Sequence, residues 1–119
     1  MPRSVLIVDD EFGLADIAAD LLRDAGYDVV IAINGKIGLA NLRAHPADLV
    51  IVDLMMPVMD GVEMIREMKA DPALAEIPVI LMTALPEASR NNTLADAVLL
   101  KPFALKLLLD TMNRLLERA

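Results

Sequence analysis

Cysteine is absent from this chain, which removes disulfides and thiolate metal sites and fits a reducing compartment. Tryptophan is absent too, and the aromatics are confined to Phe12, Tyr27 and Phe103. Basic residues are in the minority, 11 against 18 acidic ones, for a formal net charge of −7. With few cations for phosphates and few rings for bases to stack on, direct nucleic-acid binding by this domain is not expected. No apolar run reaches the roughly 18 residues of a membrane span, and MPRSVLIVDD meets its acids too soon for a secretory signal. A cytoplasmic protein without a membrane partner is the expectation. The single histidine, His45, stands beside Pro46 in a helix-ending turn and has no sequence neighbour suited to nucleophilic or metal chemistry.

What is present is apolar and regularly interrupted. The apolar fraction is 56%, and the length of 119 residues suits one core, so a single domain over residues 1–119 is expected. Short β-branched runs lie at 4–8, 28–33, 48–52, 77–82 and 97–100. Between them, Leu14, Ile17, Ala18, Leu21 and Leu22 follow helical spacing, ended by Gly26. A second helix is predicted from Lys36 to Ala44. A third starts at Asp60, with Glu63 completing a capping box and Val62, Ile65 and Met68 facing inward. The last is predicted over 103–118, with inner pairs Leu107/Leu108, Thr111/Met112 and Leu115/Leu116. Segment 84–96, ALPEASRNNTLAD, is poor in helix formers, so the fourth helix in chain order is expected to be short or irregular.

Five strands, apolar on both faces and separated by crossovers, predict an α/β fold: a doubly wound five-stranded parallel sheet with helices on both faces. Sites in such sheets lie outside the carboxyl ends of the strands. Those ends carry Asp9-Asp10-Glu11, Asp53, Thr83-Ala84 and Lys101-Pro102. Converging carboxylates repel unless a cation joins them, and hard oxygen donors favour Mg²⁺. Asp10 and Asp53 are the expected ligands, with Asp9 close by and the backbone carbonyl of Met55 a candidate third. Asp53 would then serve as nucleophile toward a phosphoryl group whose oxygens Lys101 and Thr83 hold.

Taken singly, these features have ordinary explanations. An acidic triplet complements a helix dipole, a lysine before proline is commonly solvated, Asp60-Gly61 makes a cap and tight turn, and Pro57 shapes a loop. The methionines at 55, 56, 59, 64 and 68 read as packing. Their coincidence at four strand ends is what argues for a site.

The motifs VDDE (8–11), DLMMPVMDG (53–61), MTA (82–84) and LLKPF (99–103) together resemble the receiver domain of two-component response regulators, a flavodoxin-like fold, across the whole chain. The resemblance implies phosphorylation of Asp53 by a partner histidine kinase or phosphotransfer protein, as in a phosphorelay. It further implies Mg²⁺ on Asp10 and Asp53 with help from Asp9, phosphoryl contacts from Thr83 and Lys101, and a cis peptide between Lys101 and Pro102. On this reading the chain is a signalling switch and no enzyme, assisting only its own phosphotransfer and autodephosphorylation.

Two departures stand out. The interval from Thr83 to Lys101 is shorter than the family's by about one helical turn. Val98 stands where the family often has a switching Tyr or Phe, which puts the output step in question. Met55 and Leu85, neither able to orient a water, hold the positions that the resemblance places on either side of the phosphoryl group, and they predict a long-lived phospho-aspartate. Two alternatives remain: a protein-binding module that signals without phosphorylation, and a Mg²⁺-dependent aspartate-nucleophile phosphatase, which Met55 disfavours because it supplies no general acid. Leu105 and Leu109 in the last helix suggest an interface for a homodimer. Kinase, stimulus and output are not encoded in any motif.

Overall fold

The computed structural model describes residues 3–87 and 94–117. Five strands, β1 (Ser4–Val8), β2 (Asp28–Ala32), β3 (Leu49–Asp53), β4 (Val79–Thr83) and β5 (Ala97–Leu100), form one parallel sheet in the order β2-β1-β3-β4-β5. The helices whose bounds lie within the described residues are α1 (Phe12–Asp24), α2 (Gly35–Ala44), α3 (Gly61–Ala70) and α4 (Leu105–Glu117). The expectation of a short helix within 84–96 falls largely on residues 88–93, outside the described residues. None of the described helices is long and apolar enough to cross a membrane.

Side chains alternate across the pleat and so build two cores. Val5, Ile7, Leu49, Ile51 and Ile80 face α1 and α4, whereas Leu6, Val8, Val50, Val52 and Leu81 face α2 and α3. Each fully buried aliphatic side chain contributes about 1.5–3 kcal/mol over exposure, which is why β1, β3 and β4 carry almost unbroken apolar runs. Strand β4 begins later than the sequence pattern implies. Pro78 has no N–H to give the ladder, although its carbonyl accepts from the Val50 N–H at 3.0 Å.

Helix α1 turns a different face inward from the one its larger residues predict. Ala15, Ala19 and Leu22 are buried and Ala18 packs beside them, while Ile17 is 60% and Leu21 40% exposed. The stripe of alanines makes the inner surface, so the larger side chains are displaced to its flank. Gly26, at φ +100, ends the helix in the left-handed region as expected, and the Tyr27 N–H reaches the Leu22 carbonyl at 3.1 Å. Leu105 and Leu109, expected at an interface, instead pack against the first core. Of the predicted inner pairs in α4, Leu107 alone is exposed; Leu108, Thr111, Met112, Leu115 and Leu116 are buried.

Candidate functional site

All the strands point the same way, so the carboxyl ends of β1, β3, β4 and β5 meet at one edge. Asp53 is the last residue of β3 and 5% exposed. Asp9 follows β1 and is also buried; its own N–H continues the ladder to the Ala32 carbonyl at 3.0 Å, and its Oδ1 accepts from the Glu11 N–H at 2.9 Å. That hydrogen bond aims Asp9 toward the edge while α1 begins. Asp10 is exposed, yet one oxygen each from Asp9, Asp10 and Asp53 lies within 4.8 Å of the others. This spacing fits a single small cation with hard oxygen ligands.

Lys101 enters from the neighbouring strand end. Its Nζ lies 3.2 Å from Asp53 Oδ2, and its backbone N–H donates to the Thr83 carbonyl at 2.8 Å, so the ammonium and Thr83 are held on one rung. Thr83 closes β4 and is buried; its Oγ1 accepts from the Leu85 N–H at 3.0 Å, which fixes the turn after the strand. The Lys101–Pro102 peptide is cis, as the resemblance implied.

The electrostatics at this edge are unbalanced. Burial pushes the Asp53 carboxyl above its ordinary value of 3.8; Lys101 pulls it back by charge and hydrogen bond, and Asp9 and Asp10 add repulsion. One lysine faces three acids.

The loop from β3 to α3 frames the edge. Met55 is 68% and Val58 75% exposed, whereas Met56 and Met59 pack against the second core. Val58 has φ +70, and the Met59 N–H donates to the Pro57 carbonyl at 2.8 Å, a γ-turn with a β-branched residue at its centre. Nothing in a valine signals this, and sequence reasoning missed it. Asp60 caps α3 and the capping box with Glu63 is present. Gly61, read from sequence as a turn residue, is required for another reason: a Cβ there would sit 2.5 Å from the Asp53 carbonyl oxygen. On the other flank, Ile17 and Leu21 line an apolar groove of about 310 Å³ with Pro102 and Phe103, beginning at Asp9 and Lys101.

The carboxyl edge of this parallel sheet thus gathers three acids, a hydroxyl and a lysine. The chain matches the response regulator receiver domain over residues 5–113 and belongs to that family. The DNA-binding dual master transcriptional regulator RpaA of Synechocystis is 36% identical over 122 residues, covering 99% of this chain and 50% of that protein. The chain thus spans about half the length of the curated relatives it matches. Among solved structures, the receiver domain of a signal transduction histidine kinase from Syntrophus aciditrophicus is 34% identical, with a TM-score of 0.91 over 98% of this chain and 92% of that one. Response regulator TrrA from Thermotoga maritima, solved in complex with Mg(2+)-BeF, is 28% identical, with a TM-score of 0.87 over 95% and 98% of the two chains.

Proposed function

We propose that Asp53 accepts a phosphoryl group from a histidine kinase or phosphotransfer protein, and that the chain passes the event on as a conformational change. The observation that carries this reading is the buried Asp53, held 3.2 Å from Lys101 at an edge shared with Asp9 and Asp10. The Asp53 carboxylate forms the new P–O bond as the P–N bond to the donor's histidine breaks and its imidazole leaves, taking up a proton, and Lys101 and Thr83 hold the transferred oxygens by charge and hydroxyl. Asp9, Asp10 and Asp53 would hold Mg²⁺, with the Met55 carbonyl as a further ligand. The ion would offset the repulsion among the acids and neutralise part of the phosphoryl charge.

The groove between α1 and Phe103 offers an apolar partner surface that opens directly onto Asp9 and Lys101. The output surface differs from an aromatic switch: Val98 packs against the second core, and a valine cannot swing to remodel a face. Incubation with a small acyl phosphate and Mg²⁺, followed by intact mass, tests the phosphoryl reading. A single phosphate adduct is expected, absent in Asp53→Asn. No adduct under any Mg²⁺ condition would favour a module that binds partners without phosphorylation.

Lifetime follows from the same site. Met55 and Leu85 are exposed apolar residues beside Asp53 and Thr83 in sequence, and neither orients an attacking water. A Met55→Asn, Leu85→Glu double variant is expected to lose its phosphoryl group severalfold faster than the native chain; an equal or slower loss would remove the idea.

A further inference from the structure

The described methionines divide sharply by environment. Met64, Met68 and Met112 are fully buried, Met82 is 7% exposed, and Met56 and Met59 pack against the second core. Met55 alone among them is exposed, at 68%, and belongs to neither core. Its thioether therefore contributes little packing, and it stands two residues beyond the proposed phospho-acceptor.

We propose that Met55 is a peroxide-sensitive modification site, and that its sulfoxide shortens the life of the phosphoryl group on Asp53. The second half rests on the phospho-acceptor reading above. In the modification, the Met55 sulfur donates an electron pair to one oxygen of hydrogen peroxide. The O–O bond breaks, an S–O bond forms, and the other oxygen leaves as water after taking up the remaining proton; sulfur is oxidised by two electrons and peroxide reduced by two. The product replaces an apolar side chain with a polar one that accepts hydrogen bonds. Two residues from Asp53 along the chain, such a group can hold a water that the thioether cannot. Because Met55 packs against neither core, oxidation is tolerated without loss of the fold. The buried methionines are protected by the same packing that makes their oxidation disruptive.

The test uses the full chain and dilute hydrogen peroxide. Peptide mass mapping is expected to find one added oxygen at Met55 at least about tenfold sooner than at Met64, Met68, Met82 or Met112. Oxidation that begins at those four, or proceeds evenly, would overturn the proposal. Oxidised and unoxidised chains are then phosphorylated with a small acyl phosphate and the adduct followed by intact mass. A severalfold faster loss is expected after oxidation, reversed by methionine sulfoxide reductase. Met55→Leu, compared with itself before and after peroxide, should show no change in rate. An unchanged rate in the oxidised native chain, or an equal change in Met55→Leu, would also overturn the proposal. Absence of any adduct on the unoxidised chain would strike the phospho-acceptor reading, whereas the mapping decides the selectivity of Met55 on its own.

Discussion

Aspartates occupy both ends of the sheet, but they are used in opposite ways. At the amino end, Asp48 Oδ2 accepts from the Ser4 N–H at 2.8 Å, and Asp96 Oδ2 accepts from the Val79 N–H at 2.8 Å with Lys69 Nζ 3.6 Å away. These carboxylates supply acceptors where strands begin and ladder partners are missing, and they join β1 to β3 and β4 to β5. At the carboxyl end, Asp9, Asp10 and Asp53 crowd together with Lys101 as the basic partner of Asp53. One end stabilises the sheet, and the other gathers three acids against one lysine.

The contrast can be broken from either side. The largest effect is expected at the amino end: Asp96→Ala leaves the Val79 N–H without its acceptor and should cost about 2 kcal/mol in denaturant unfolding. It should leave phosphorylation unchanged, and a loss of less than about 0.5 kcal/mol would mean that the staple is only geometric.

A smaller effect of opposite sign is expected at the carboxyl end. The folded chain holds the Asp53 proton more tightly than the unfolded one, because burial outweighs Lys101. Asp53 thus favours the folded state fully below the ordinary carboxylate value, and that contribution is lost as pH rises through its raised folded value. Without divalent cations at neutral pH, Asp53→Asn should raise the melting temperature by a few degrees. Mg²⁺ should raise that of the native chain but not of the variant. A lower melting temperature in the variant would show that the Lys101 pair outweighs burial.

The smallest effect concerns the backbone. Val58 is the one non-glycine residue with positive φ among the described residues. Val58→Gly should relieve more strain than the added unfolded entropy costs, a net gain of about 0.5 kcal/mol. Destabilisation on calorimetry would mean that the γ-turn holds no strain worth relieving.

The site was legible because its residues sit at strand ends, where an alternating α/β pattern already decides which side chains meet. Asp53, Thr83 and Lys101 needed only the strand order to become neighbours. The capping box at Asp60 was legible for the opposite reason, being wholly local. Asp48 and Asp96 were not, since their partners Ser4 and Val79 lie far along the chain and no short motif marks a staple across strands. The inner face of α1 was misread because large apolar residues were weighted above alanines; close approach to the sheet favours the small ones.

Gly61 ties strand and helix together more closely than any side chain would. Its N–H donates to the Leu54 carbonyl at 2.9 Å, and its missing Cβ leaves the Asp53 carbonyl in direct reach. A joint without an intervening side chain has no slack to absorb small displacements. The main chain at Asp53 therefore lies directly on the first turn of α3, and a displacement of one is expected to displace the other.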